Sequence, residues 1–400
     1  MLLRLLERFV QRGHRVDLLL SRVRGDFHRQ IPAGLEPIRL KRCSSLSMRV
    51  SLTRAAGEDW SLMVPPALLN ASSSWALRYL PSLSEYLSEN RPDVLLSANS
   101  WPNLVALLAR RLSGVGTRVV VSERIQLSQR VQHLRRHARW RRLPALIERF
   151  YPEADAITAV SEGVADDLAR TARLSRPTVL ALPNPVVSAT LLEMAGAEIP
   201  HPWLAAGQPP VILGVGRLHA QKDFPTLIRA FSQVREKRPA RLIILGEGGE
   251  RARLEGIVAK LGLAAHVDLL GHVDNPFSFM SRAAVFALSS RYEGLPGALI
   301  QALACGCPSV STDCPSGPRE IMQDGKLGPL VPVGDAAQLA QGIEQCLDAP
   351  FPRETLQMGV SRYDVDRAAD AYLKVLLPDI GQGKPCLLYT SDAADDLVSV

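Results

Sequence analysis

Along the first half of the chain, short runs rich in Leu, Val and Ile occur at residues 16–20, 94–98, 119–122, 156–160 and 179–182. Between them apolar residues recur every three or four positions. Runs of this length read as buried strands, and the periodic stretches as amphipathic helices. Their alternation predicts a parallel sheet covered by helices. A proline-rich stretch without clear periodicity, residues 183–208, interrupts the pattern, which then restarts with runs at 211–214, 242–245, 267–270, 285–288 and 308–311. The expectation is an α/β protein of two doubly wound lobes: 1–190, a linker at 191–208, and 209–350, with a helical segment at 351–378 returning to the first lobe. Ligands of open sheets sit at the carboxyl ends of the strands, so two such lobes facing each other would hold a ligand in the cleft between them.

The two ends of the chain break this pattern. A doubly wound domain opens with a strand and a glycine-rich turn, whereas this chain opens with a helical pattern at 2–11 that runs through Gly13 into the strand at 16–20. The first strand and its turn are expected to be missing. At the other end, residues 386–400 (CLLYTSDAADDLVSV) follow a helix already stopped at Pro378 and differ in composition from everything before them. They read as a non-native tail without a place in the fold.

Composition narrows the class. A chain of 400 residues suggests two domains, and 46% hydrophobic with 22% charged residues is the balance of a globular protein. No apolar run approaches the roughly 20 residues a membrane-spanning helix requires. Arg4, Glu7 and Arg8 interrupt the apolar start, so it does not read as a secretory leader, and a cytoplasmic protein is expected. Six cysteines (43, 305, 307, 314, 346 and 386) lack C-x-x-C spacing and predict neither a disulfide framework nor a zinc site.

Candidate chemistry is densest between residues 214 and 335. Gly214-Val215-Gly216-Arg217-Leu218 follows a strand, and Lys222-Asp223-Phe224 opens a helix at 226–235. Glycines let backbone approach a phosphate, and Arg217 and Lys222 can converge on one from two sides. Standing alone, such a segment equally describes a tight turn with solvated charges. A second element, Ser290-Arg291-Tyr292-Glu293-Gly294-Leu295-Pro296-Gly297, precedes a helix at 298–304. There a carboxylate at Glu293 can accept sugar hydroxyls while the free amides of the helix start hold phosphate oxygens; a simple helix cap is the bland alternative. His219 lies between Arg217 and Lys222 and can reach a phosphate, whereas His14, His266 and His272 sit beside strands and read as structural. The single D-x-D, Asp364-Val365-Asp366, falls in a predicted helix with its acids on different faces, so no metal site is predicted.

Taken in order, GVGRLHAQKDFPTLIRAF, LIILGEGGERARLE, LGHVDNP and SSRYEGLPGALIQALACGCPSVSTDCPSGPREI resemble glycosyltransferase family 4. The likeness extends into the first lobe through Gly13-His14-Arg15-Val16, Ala154-Asp155-Ala156 and Ser161-Glu162-Gly163-Val164, and to Asn184-Pro185. It implies a GT-B fold of two Rossmann-like lobes, a retaining transferase, a UDP- or GDP-sugar donor, and neither a cofactor nor an obligatory metal. It further implies that Arg217 and Lys222 bind the donor diphosphate and that Glu293 contacts the transferred sugar. The backbone at Gly216 and at Gly294, Leu295, Pro296 and Gly297 would line the donor site. The family's second acid, which grips the ribose, is replaced here by Gln301, which keeps hydrogen-bonding groups but no charge. Asn99, Glu123 and Arg124, at predicted strand ends of the first lobe, are the acceptor-side candidates.

The chain carries a formal charge of +7, with eight Arg, two His and the single acid Glu148 between residues 124 and 149. Leu134, Trp140, Leu143 and Leu146 are interleaved, the composition of an element that lies on an anionic membrane; a solvated helix face is the alternative. The expected partners are a nucleotide sugar, a lipid-linked saccharide acceptor of polysaccharide or glycoconjugate synthesis, and the inner face of the cytoplasmic membrane. Nucleic acid is not among them, because no nucleic-acid-binding module accompanies the basic run. A missing strand and turn would also suit a catalytically impaired donor-binding protein. A dinucleotide-dependent oxidoreductase is disfavoured, because its third fingerprint glycine would fall on His219.

Overall fold

The computed structural model describes residues 2–21, 31–32, 35, 37–67, 75–134, 138–198, 201–378 and 386–390. The chain divides into two units, which among the described residues are 2–184 together with 366–378 and 386–390, and 185–365. Each is a parallel sheet flanked by helices, the doubly wound architecture expected from the alternation.

The first unit has seven strands: β1 (Val16–Leu20), β2 (Pro37–Arg39), β3 (Val94–Ala98), β4 (Arg118–Glu123), β5 (Ala156–Ala159), β6 (Val179–Ala181) and a last one from the far end of the chain, Cys386–Thr390. That last strand lies between β1 and β3, parallel to both, with Val16 and Val94 both opposite Cys386. The expectation that this tail has no place in the fold is corrected for Cys386–Thr390 alone. Two neighbouring strands present unpaired backbone edges there, and the apolar Cys386–Thr390 pairs with both, in the position that the doubly wound order reserves for an opening strand. Residues 391–400 lie outside the described residues. Every residue of Val94–Ala98 is buried, as both-face coverage requires. The helix Leu2–Gln11 turns Leu2, Leu5, Leu6 and Phe9 inward at helical spacing. The helix Val365–Leu376 belongs to this unit: Arg12 pairs with Asp370 at 2.5 Å, Arg118 Nε donates to the Val375 carbonyl at 3.2 Å, and Tyr372 Oη donates to the Leu182 carbonyl.

The second unit's sheet runs in the order β12-β11-β10-β7-β8-β9, from β7 (Val211–Val215), β8 (Arg241–Leu245), β9 (Val267–Gly271), β10 (Val285–Leu288), β11 (Ser309–Thr312) and β12 (Leu330–Val331). Against it lies the helix Phe224–Lys237, begun by Pro225 in its first turn, where a missing N–H costs nothing, and closed with Arg235 and Lys237 in its last. Its Leu227, Phe231 and Val234 form one inward stripe with Ile212, Ile244 and Ile343. Truncating a buried Phe of this kind costs about 3–5 kcal/mol. Two segments differ from expectation. The stretch read as linker contains the helix Ala189–Gly196, held by Asn275 Nδ2 to the Met194 carbonyl at 2.8 Å and Ser281 Oγ to the Ala195 carbonyl at 2.6 Å. Of the segment 351–378, the helix Arg353–Gly359 stays with the second unit, where Leu356 is buried and Gln357 Nε2 donates to the Ala304 carbonyl at 3.1 Å.

Candidate functional site

In the second unit the two signature segments meet. After β7 the chain passes through Gly216 at φ 155°, where a Cβ would lie 3.0 Å from Lys222 Cε and 3.2 Å from its Cδ. The bare glycine makes room for the lysine stem to cross it. Lys222 Nζ then sits 2.7 Å from Glu293 Oε1, and Ser290 Oγ donates to the same oxygen at 2.7 Å. Both side chains are mostly shielded, at 17% and 9% exposure, so an unpaired charge at either would be costly. Among the described residues Glu293 Oε2 has no protein donor.

The backbone around this pair is clamped. Glu293 N–H donates to the Pro315 carbonyl at 2.8 Å, Ser316 N–H to the Glu293 carbonyl at 3.1 Å, and Ser316 Oγ to the Gly294 carbonyl at 3.0 Å. Gly317 follows at φ 95°, where a Cβ would come within 2.7 Å of Pro296 Cδ. The lysine side is laced to the same loop. Arg291 N–H donates to the Gln221 carbonyl at 2.8 Å, Gln221 Nε2 to the Tyr292 carbonyl at 2.9 Å, and Ser289 Oγ to the Lys222 carbonyl at 2.7 Å. Asp223, buried in a left-handed conformation, takes Thr226 Oγ1 at 3.0 Å and Arg291 Nε at 3.1 Å. Nearby Cys314 is buried, and that burial first, then the Glu293 charge, pushes its thiol up to about 12. It is an inert packing group rather than a nucleophile.

Three further predicted residues surround the pair differently. Arg217 is exposed, and among the described residues its guanidinium has no ion pair. His219 is exposed too, with Nδ1 accepting Gln221 N–H at 3.2 Å. The helix Gly297–Ala304 has no side-chain cap at Pro296, so its first N–H groups lack intrahelical partners, and Gly294, Leu295, Pro296 and Gly297 are all buried around them. One turn further along, Gln301 is 3% exposed with an Oε1 that has no partner. A buried carbonyl left unsatisfied costs about 1–3 kcal/mol, so it marks a place for a donor. Of the residues singled out in the sequence, the structure joins Lys222 to Glu293 and buries Gln301; Ser290, Asp223 and Ser316, which hold the pair in place, were not assigned a role there. Ser290 carried the only available signal, a hydroxyl three residues before the acid.

In the first unit the acceptor-side candidates are built inward. Glu123 ends β4 with its carboxyl accepting from Tyr151 Oη, Ser100 Oγ at 3.0 Å and Asn103 Nδ2 at 3.4 Å. Burial raises its pKa against the pull of those donors. Arg124 donates to Asn184 Oδ1 at 2.5 Å, and Asn99, at φ 74°, precedes the helix Ser100–Ser113. The basic run 124–149 is also divided. Arg124 is buried, Arg130 lies over the Trp140 ring at 5.4 Å, Arg149 pairs with Asp59 and Glu153, and Arg141 and Arg142 are exposed. Arg135 and Arg136 lie outside the described residues.

Comparisons with known proteins point the same way. The family described as Glycosyltransferase Family 4 matches residues 1–189, and Glycosyl transferases group 1 matches residues 197–359. The chain is 34% identical over 247 residues to the N-acetylgalactosamine-N,N'-diacetylbacillosaminyl-diphospho-undecaprenol 4-alpha-N-acetylgalactosaminyltransferase of Campylobacter jejuni, covering 62% of this chain and 65% of that protein. It is 33% identical over 172 residues to the lipopolysaccharide core biosynthesis glycosyltransferase LpsE of Rhizobium meliloti, covering 42% of this chain and 49% of that one. It thus spans less than two thirds of either relative. Among solved structures, HepE of Anabaena in complex with UDP and glucose superposes with a TM-score of 0.68 at 17% identity, covering 94% of this chain and 96% of that one.

Proposed function

From a chain that belongs to the group 1 and family 4 glycosyltransferases of GT-B fold, we propose a retaining transfer of a sugar from a nucleotide-diphosphate sugar to a lipid-linked saccharide in polysaccharide or glycoconjugate synthesis. The observation that carries this reading is the shielded Lys222–Glu293 pair, 2.7 Å apart, beside an uncapped helix start and an exposed Arg217.

In this reading the bond from the anomeric carbon to the diphosphate breaks, a bond to the acceptor hydroxyl oxygen forms, and the hydroxyl proton leaves to the departing diphosphate. Negative charge grows on the diphosphate as the bond breaks. Cations fixed beforehand at that place stabilise the transition state more than the ground state. Arg217 and Lys222 supply them, together with the first amides of the helix Gly297–Ala304. Glu293, held against Lys222 and Ser290, offers Oε2 to the sugar hydroxyls, and Gln301 Oε1 accepts from the ribose. Retention is what the family resemblance implies.

A lipid-linked acceptor is supported by the name of the Campylobacter relative, which specifies a diphospho-undecaprenol substrate. A uridine nucleotide is favoured by the UDP bound in the HepE neighbour. Among the described residues no helix is long and apolar enough to cross a membrane. The acceptor is then met at the inner face of the cytoplasmic membrane, with the protein lying peripherally upon it.

The test is incubation with a panel of UDP- and GDP-sugars and a polyprenyl-diphosphate saccharide, following nucleoside diphosphate release and the anomeric configuration of the product. Release above the hydrolytic background, with retained configuration, is expected. Tight nucleotide binding without turnover would favour the impaired donor-binding reading. Neither binding nor release with any nucleotide sugar would end both.

A further inference from the structure

Ten large apolar side chains are exposed among the described residues, and four of them fall within 17 residues of one another: Leu46 at 72%, Val50 at 52%, Trp60 at 52% and Leu62 at 36%. They lie on the helix Ser45–Ala56 and the start of the helix Trp60–Ala67, which pack together in the first unit. The first of these helices turns Met48, Leu52, Ala55 and Ala56 inward. At 100° per residue, its opposite face carries Arg49, Thr53, Leu46, Val50 and Arg54 in that angular order. An apolar centre is therefore edged by an arginine on each side.

Charge reinforces the pattern. Between residues 37 and 62 there are five basic residues, Arg39, Lys41, Arg42, Arg49 and Arg54, against two acids: the exposed Glu58, and Asp59, which is already paired with Arg111 and Arg149. All five basic residues are exposed, and among the described residues none has an ion pair. The platform beneath is tied by hydrogen bonds and ion pairs. Arg111 reaches the Ala55 and Ala56 carbonyls, both at 3.4 Å, and Asp59 at 3.3 Å, while Arg149 holds the other Asp59 oxygen at 2.7 Å. The corner that presents Trp60 is thus fixed from below by the neighbouring acid.

We propose that this face docks on an anionic lipid bilayer, with Leu46, Val50, Trp60 and Leu62 entering the headgroup boundary and the five basic residues contacting lipid phosphates. Apolar side chains at the centre of a cationic face match an interface that is acidic at its surface and greasy beneath it, and Trp favours that depth. A nucleic-acid backbone would leave Leu46 and Val50 without partners. A second copy of the chain, meeting this face through a two-fold axis, would bring the unpaired basic residues against themselves. The inference rests on the membrane-associated reading above and moves its seat from residues 124–149, where burial and internal pairing occupy Arg124 and Arg149.

The experiment is co-sedimentation of the full chain with vesicles of phosphatidylcholine alone or mixed with phosphatidylglycerol. Partition onto the anionic vesicles and not the neutral ones is expected. Both Leu46→Ser/Val50→Ser/Trp60→Ser and Lys41→Gln/Arg42→Gln/Arg49→Gln/Arg54→Gln should weaken it at least about tenfold. Arg141→Gln/Arg142→Gln should retain it. All the substituted side chains are exposed, so unchanged thermal unfolding in solution separates lost docking from lost folding. Equal binding by parent and variants, binding indifferent to lipid charge, release by the Arg141/Arg142 variant alone, or a parent dimer that the serine variant abolishes would each overturn the proposal. Donor turnover is measured on the same samples. Turnover without sedimentation removes the docking face and leaves the transferase standing; sedimentation without turnover on any nucleotide sugar does the reverse.

Discussion

Both units are parallel sheets between helices, and both place polar side chains at the carboxyl ends of their strands, yet they use them in opposite ways. In the second unit, the carboxylate after β10 shares one oxygen between Lys222 and Ser290 and keeps the other without a protein donor; a helix start and a buried amide oxygen nearby are also unsatisfied. In the first unit, the carboxylate ending β4 is enclosed by Tyr151, Ser100 and Asn103, so that both of its oxygens have protein donors, although Ser97 Oγ, Ser122 Oγ and Asn103 Oδ1 beside it are buried without partners. Position at a strand end nominates a residue. What separates the two carboxylates is the oxygen left over: Glu293 keeps one without a protein donor among the described residues, and Glu123 keeps none.

The largest test of that distinction is Glu293→Ala. If Glu293 faces the transferred sugar, turnover should fall about a hundredfold or more while UDP affinity by calorimetry changes little. Equal losses in both would make it a brace like its counterpart in the first unit. Next in size is stability. Lys222→Ala leaves a shielded carboxylate without its cation, and breaking a buried pair costs about 3–5 kcal/mol; with both groups still partly exposed, about 2–3 kcal/mol is expected. Hydrogen exchange in the helix Phe224–Lys237 should report it, and adding Glu293→Gln should recover at least half.

The first unit's closed carboxyl gives a smaller and pH-dependent effect. Burial holds the folded pKa of Glu123 above its ordinary 4.5, so the folded state retains a proton that the unfolded state releases. Its stabilising contribution is complete below 4.5 and is lost as pH rises through the raised value. Relative to Glu123→Gln, the parent should therefore lose thermal stability on going from acid to neutral pH; a constant gap would show that Glu123 is charged in the fold. Smallest is Gln301→Glu, which restores a charged acceptor next to the proposed ribose. UDP binding should tighten about threefold at pH 8, by strengthening hydrogen bonds to an ionised oxygen. A loss there would place Gln301 in packing rather than in the site.

Much of the scaffold was legible because the strands are buried on both faces and so read as unbroken apolar runs. The helix expected at 226–235 extends to Phe224–Lys237 because Asp223 adopts a left-handed conformation that lets Pro225 lead the first turn. Arg217 and Glu293 were legible as charged residues beside glycines, Lys222 as a cation five residues after Arg217, and Gln301 only through the family resemblance. Their pairing was not, since Lys222 and Glu293 are 71 residues apart and nothing local encodes the bond. Ser316 clamps the acid from a loop that belongs to the resembling segment but offers no charged or nucleophilic pattern of its own. The exposed face at 46–62 was missed for a related reason: Leu46 and Val50 have the same spacing as core residues, and only the packing shows which stripe faces outward. The place of Cys386–Thr390 was hidden by its composition, which offers an apolar run and no clue to its neighbours.

The helix Val365–Leu376, which follows the second unit in sequence, packs on the first unit through contacts such as Arg12 with Asp370, 358 residues apart. A ribosome adding about 5–20 residues per second would expose the first unit tens of seconds before its closing helix arrives. The second unit, uninterrupted from Pro185 to Val365, can be complete by then. Maturation is therefore ordered against the direction of synthesis: the lobe made first finishes last, and during that interval the faces awaiting Val365–Leu376 are those a chaperone would meet.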